Sequence, residues 1–284
     1  MNVKCPKCEA SSPNISKFGS FRRKSDSKSI PRYRCKLCEK TFSNATFSDC
    51  LHQNKRRLNH AIRMGLCSSM SMRRIALSLN ISRVTVKRKL EFLGAKAQIK
   101  HQNYLKDKTF HNIQFDDLET FETTKLKPLS VSMAVEKKTR KIIGFSVSQI
   151  GAKGLLVEKA FKLYGKRKNE SYKNREDLFK ELQSFISPKA VFETDEHTQY
   201  PKLIRKYFNE STHKKFKSVR GALVGQGELK RVGYDPLFSI NHTFAMLRAN
   251  INRLVRRTWC TTKKVKFLEL HLWMYVDFHN SVLT

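Results

Sequence analysis

The sequence is short of acidic residues, short of glycine and proline, and without a long apolar run. Its 24 Asp and Glu stand against 57 Lys and Arg, a formal net charge of +33. The deficit of acid runs the whole length of the chain instead of marking one tail. A field of this sign attracts a polyanion, and phosphate contacts of this kind release counterions. With 11 Gly and 7 Pro among 284 residues, collagen-like and low-complexity disordered compositions are excluded. No apolar stretch approaches ~20 residues and no basic amphipathic helix stands alone, which argues against a membrane partner. Nor does an apolar region follow Met1-Asn2-Val3-Lys4-Cys5. The expectation is therefore a cytoplasmic chain with reduced thiols rather than a disulfide framework.

What is present is a hydrophobic fraction of 39%, enough for a core, and a length that suits two or three domains. Three segments separate by pattern. Residues 1–50 are rich in Cys, Ser and Lys. Residues 51–105 are helical and basic. Residues 106–284 begin with strands and then alternate helices and strands. The Lys-rich stretch Ala95–Lys108 reads as a linker.

Cys5-Pro6-Lys7-Cys8 and Cys35-Lys36-Leu37-Cys38 are two C-x-x-C pairs. Two residues between cysteines suit a tight knuckle that aims both thiolates at one ion, and two knuckles complete a tetrahedral four-sulfur site for Zn²⁺. Residues 1–50 thus read as a zinc ribbon whose folding free energy comes from the metal. Cys50 and Cys67 read as buried free thiols.

Leu58, Ile62 and Leu66 recur at four-residue spacing and predict a helix over Asn54–Leu66. A second helix follows from Ser71 to Leu79, then a turn at Asn80-Ile81. Ser82 is an N-cap for a third helix through about Phe92. In such a helix-turn-helix the N-terminal part of the last helix enters the major groove. Arg83 and Thr85 are the candidates for base contact, and Lys87 and Arg88 for phosphates.

In the third segment, Phe110–Phe121, Leu129–Val135 and Lys141–Ser148 predict an antiparallel meander. Helices and a short strand, Ala190–Asp195, follow, and then a basic helix over Asn241–Arg257. This order matches a ribonuclease-H-like α/β domain, with a mixed sheet whose first three strands are antiparallel. In that fold an acid on the first strand meets an acid ending the fourth, and two close carboxylates hold divalent metals for phosphoryl transfer. Asp116 and Asp195 occupy those positions, with Asp117 the alternative to Asp116. Arg248, Arg253, Arg256 and Arg257 read as a phosphate-binding face. Trp259 is open to two readings, stacking on a base or packing beneath a helix.

Taken in this order, the ribbon, the helix-turn-helix and Phe115-Asp116-Asp117-Leu118-Glu119-Thr120-Phe121 resemble the short bacterial insertion-sequence transposases with a DDE catalytic domain. Thr194-Asp195 before His197 and Tyr200 is similar to the family's second motif. Leu247-Arg248 and the basic run after it look like the helix of the third catalytic residue. The resemblance covers essentially the whole chain. It implies Asp116 and Asp195 as catalytic ligands of Mg²⁺ or Mn²⁺. It further implies double-stranded DNA as partner (element ends and target), a homodimer or larger assembly on DNA, and a bacterial, nucleoid-associated location. One departure stands out. Where the third acid is expected, the chain has Ile240-Asn241-His242-Thr243. Asn241 takes the place, His242 is the alternative, and Glu228 and Asp235 are upstream acids that another loop path could bring in. The function implied is cleavage and joining of DNA strands. The alternatives are a non-catalytic or decayed DNA-binding regulator, and a site-specific nuclease of the same fold.

Overall fold

The computed structural model describes residues 3–24, 26–51, 53–217, 235–255 and 259–283. The expectations placed on Glu228, Arg256 and Arg257 lie outside these residues. The chain forms two compact units, Met1–Ala61 and Ile62–Thr284.

The first unit holds a three-stranded antiparallel sheet of β1 (Ile15–Arg22), β2 (Ser29–Cys35) and β3 (Thr41–Ser43). Its core is very small: Cys5, Tyr33, Cys35 and Phe42 are buried, with Val3, Ala10, Ile15 and Cys38 packed against them. So little apolar surface leaves the cysteine site as the main source of cohesion.

The second unit begins within helix α1 (Asn59–Leu66), followed by α2 (Met72–Ser78) and α3 (Arg83–Leu105). Ser71 caps α2 by accepting from the Arg74 amide, and Ser82 caps α3 by accepting from the Thr85 amide. The helix predicted from Asn54 starts later, at Asn59, behind a 3-10 turn over Arg56–Leu58. The linker expected at Ala95–Lys108 is not there, and α3 runs unbroken to Leu105. Its reason is the spacing of Leu90, Gly94, Ala97, His101 and Leu105, all buried, which keeps one helix face covered while the lysines between them face out. That face packs on α8 (Val265–Phe278). A Cβ on Gly94 would lie 2.5 Å from the Leu270 carbonyl oxygen, so the crossing is close enough to require glycine.

A five-stranded sheet of order β6-β5-β4-β7-β8 forms the centre. The strands are β4 (Phe110–Phe121), β5 (Pro128–Glu136), β6 (Ile142–Gln149), β7 (Ile186–Thr194) and β8 (Thr212–Lys215). β4, β5 and β6 are antiparallel neighbours, while β7 runs parallel to β4, and β8 parallel to β7. Between the strands lie α4 (Val157–Tyr164), α5 (Ser171–Leu182) and α6 (Tyr200–Tyr207). Ile113 and Phe115 of β4 join Phe179, Leu182, Tyr200 and Leu203 in the core on the α5–α6 face.

Helix α7 (Phe238–Asn250) packs against β4 and β5. The single helix expected over Asn241–Arg257 is therefore shorter. Ile251 turns extended and a 3-10 turn, Asn252–Leu254, follows. Both Ile251 and Leu254 are buried, and burying them favours a bend over continued helix.

Candidate functional site

The four cysteines of the first unit converge. Their sulfurs all lie within 4.8 Å of one another, and among the described residues they form the one group of three or more His, Cys, Asp or Glu side chains able to hold a metal. Cys5 Sγ is 3.5 Å from Cys38 Sγ, and Cys8 Sγ is 3.6 Å from Cys35 Sγ. Zn–S bonds of about 2.3 Å in a tetrahedron put sulfurs about 3.8 Å apart, so the donor set fits zinc. The knuckles are built alike. Cys5 N–H donates to the Ala10 carbonyl at 2.8 Å and Cys35 N–H to the Lys40 carbonyl at 3.0 Å. The residue after each knuckle, Glu9 at φ 57° and Glu39 at φ 58°, is left-handed. The Cys38 amide, foremost, holds the Cys35 thiol below its ordinary value.

In the second unit, the register of β4 on β7 sets the acidic pair. Phe115 pairs with Thr194 across the parallel strands, so Asp116 and Asp195 follow side by side at the carboxyl end of the pairing. Alternation assigns the faces. Gln114 bonds α7, and Asp116 shares its face. Asp117 points to the other side, where Arg175 of α5 meets it at 2.8 Å. Asp117 is thus held in an ion pair on the α5–α6 side, away from the α7 side.

Asp116 Oδ1 accepts from the Asp117 amide at 2.7 Å, and Asp195 Oδ1 from the His197 amide at 2.9 Å. Burial first, then the charges of Asp195 and Asp117, push the Asp116 carboxyl up from 3.8 to about 7, while Arg248 acts in the opposite sense. Asp116, Asp195 and Arg248 are thus brought together. Arg248 stands two turns along α7 from Asn241, on one helix face with it.

Of the described residues weighed for a third ligand, Asn241 and Asp235 are in contact, and His242 has other partners. Asn241 donates from Nδ2 to Asp235 Oδ2 at 2.9 Å, and Asp235 Oδ1 accepts from the Leu237 amide at 3.0 Å near the start of α7. His242 lies at the β5–β6 turn, 3.2 Å from Arg140 Nη1 and beside the Phe238 ring. Burial and that arginine lower its pKa.

Two buried networks carry these elements, and neither was visible in the sequence. Gln114 Nε2 donates to Glu193 Oε2 (2.9 Å) and to the Pro236 carbonyl (2.7 Å), while its Oε1 accepts from the Ile240 amide (3.0 Å). Lys137 completes the set on Glu193 at 2.6 Å. This latch pins the start of α7 to β4 and β7. On the opposite face, Arg175 bridges Asp117, Gln199 and Ser132, with its guanidinium 5.4 Å from the Tyr200 ring centre. Gln199 lies in the loop that Asp195 opens, so Arg175 ties that loop to β4. Its partners are distant in sequence, and only pairing of Asp117 with a basic residue could have hinted at it.

Of the basic residues expected on a DNA surface, Arg83, Lys87 and Arg88 are exposed and Thr85 is half-buried. The Lys87 ammonium sits 5.1 Å over the Phe267 ring. Arg253 is a correction: it is 9% exposed, not part of an open basic face. Burial lowers its pKa, with Cys260 nearby opposing the shift. The bend after α7 turns it inward. Trp259 is 96% exposed, so packing beneath a helix is not what it does. Among the described residues, no helix is long and apolar enough to cross a membrane.

Comparison with protein-family models and with curated proteins finds no match. Among solved structures, the chain is similar to a chain of a simian T-cell lymphotropic virus intasome in complex with PP2A regulatory subunit B56 gamma. The identity is 14% and the TM-score 0.22, over 74% of this chain and 71% of that one. A likeness at that level carries no argument about function.

Proposed function

We propose that this chain is a transposase that binds the terminal inverted repeats of a mobile element and catalyses metal-dependent cleavage and transfer of DNA strands. The observation that carries the reading is the register of β4 on β7, which sets Asp116 beside Asp195. The sheet order supports a ribonuclease-H-like domain, and the three helices before it, two of them capped by serine, support a helix-turn-helix presenting Arg83 and Arg88. The cysteine knuckles support a zinc ribbon.

Asp116 and Asp195 would hold Mg²⁺ or Mn²⁺, and the mutual repulsion of two half-buried carboxylates fits a cationic guest. Bound there, the metal would activate water and stabilise the leaving oxygen. Gln114 and Arg175 keep the two strands and α7 in register, and Arg248 supplies a cation beside the scissile phosphate. Hydrolysis of a phosphodiester frees a 3′-hydroxyl. Attack of that hydroxyl on target phosphorus forms one P–O bond as another breaks, with no covalent enzyme intermediate. Two ends must be paired, so a dimer or larger assembly on DNA is part of the proposal.

A second reading, a DNA-binding protein without strand chemistry, is favoured by one observation. Helix α7 has no carboxylate, and the Asn241 amide is already held by Asp235. Strand transfer separates the readings. An end-labelled repeat duplex incubated with plasmid and Mn²⁺ gives joined product if the chain is a transposase. Cut ends without joining identify a nuclease, and bound but uncut duplex a regulator.

A further inference from the structure

The first unit presents a second surface, opposite its cysteine core. On β2, Tyr33 and Cys35 are buried and Arg34 is exposed, so Arg32 and Arg34 belong to the outward face. Ser16 pairs with Arg34, and Lys17 with Tyr33. The register then slips by one residue between Lys17 and Ser20, where Gly19 adopts φ +74°. This is a bulge, and only glycine takes that backbone angle without cost. Its effect is specific. Phe18 lies within the slip and, by the approach of Arg32 and Arg34 to its ring, on the Arg34 side. Phe21 follows it and pairs with Ile30, on the same side. Without the extra residue, Phe21 would turn toward the Tyr33 side. The bulge therefore gathers both phenylalanines onto the face of Arg32 and Arg34.

Both rings are open to solvent, Phe18 at 43% and Phe21 at 40%. The guanidinium carbons of Arg32 and Arg34 lie 5.4 and 5.9 Å from the Phe18 ring centre. Arg34 also contacts exposed Glu39 at 3.3 Å, a pair that solvent screens. Lys17, Arg22, Lys24 and Lys28 belong to the same hairpin, whose one acid, Asp26, is taken up by Arg23 and Arg56.

We infer that this outward face of β1 and β2 binds an unpaired DNA strand, with bases stacking on Phe18 and Phe21 and Arg32 and Arg34 meeting phosphates. Flat aromatic rings interleaved with fixed cations suit bases that have left the duplex, since every base has a π-face. Paired bases in a duplex offer no such face. The choice of DNA rests on the transposase reading, in which cutting exposes strand ends.

The test uses the full, zinc-loaded chain and a fluorescein-labelled oligothymidine, read by anisotropy. Phe18→Ala with Phe21→Ala lowers affinity about tenfold or more, leaves duplex affinity within about twofold, and keeps about one zinc per chain. Phe18→Trp with Phe21→Trp restores binding. Unchanged oligothymidine affinity with zinc retained overturns the inference. So does an equal loss on duplex, which would make the face a groove contact. Tighter binding to oligouridine, lost in the same variant, overturns the assignment to DNA. The two substitutions leave Asp116 and Asp195 unchanged. Intact cutting with unchanged affinity therefore sinks the surface alone, and lost affinity in a chain that never cuts sinks the transposase reading alone.

Discussion

Arg175 reaches from α5 to Asp117 at 2.8 Å, both partners largely out of solvent. The same guanidinium holds Gln199, so one side chain aligns β4 with the loop that follows Asp195. Removing it leaves Asp117 buried without a counter-charge. Arg175→Met is expected to cost about 3–5 kcal/mol, and adding Asp117→Asn to recover part of that. Urea unfolding midpoints check both. A loss below about 1 kcal/mol would mean the pair is no more than a surface contact.

The Asp116 carboxyl gives a pH signature. Its pKa rises on folding from 3.8 to about 7, chiefly through burial. Between those values the folded chain keeps a proton that the unfolded chain has lost. The contribution of this carboxyl to stability is therefore full below about pH 4 and is lost as pH rises toward 7. Asp116→Asn abolishes this slope. Without divalent metal, the variant should unfold at higher urea than wild type near pH 8, with the gap closing near pH 4. Coincident curves near pH 8 would contradict the burial of this carboxylate.

At Gly94, an added Cβ meets the Leu270 carbonyl oxygen at 2.5 Å. Gly94→Ala should push α3 from α8 and cost about 1–3 kcal/mol despite the better helix propensity of alanine. Gly151, with nothing within 4 Å of its would-be Cβ, is the control. Equal melting temperatures for the two variants would remove the close crossing.

Metal analysis should find about one zinc per chain. Cys35→Ser should abolish it and expose the first unit to protease, because Tyr33, Phe42 and the cysteines are nearly its whole core. Zinc retained by that variant would rule out the four-sulfur site.

The parts legible in the sequence were those whose cause is local. Two C-x-x-C knuckles are set by spacing, the Ser82 cap by side-chain chemistry, and Phe110–Phe121 by alternation. Asp116 and Asp195 were singled out because acids are scarce in so basic a chain, and these two fall on the first strand and at the end of the fourth. What stayed hidden depends on partners far along the chain. Gly94, Ala97 and His101 do not look like core, so α3 seemed to dissolve into a linker. Gln114 and Glu193 form a buried latch only because β4 and β7 pair. Arg253 looked like one more phosphate contact, and only the bend at Ile251 turns it inward.

The most direct measurement is cutting of an end-labelled duplex carrying the element's terminal repeat, with Mg²⁺ or Mn²⁺. Wild type is expected to release a strand with a free 3′-hydroxyl. The Asp116→Ala plus Asp195→Ala variant, still binding the duplex, is expected to release none. Equal cutting by the two proteins would contradict the assignment of these aspartates as the catalytic pair.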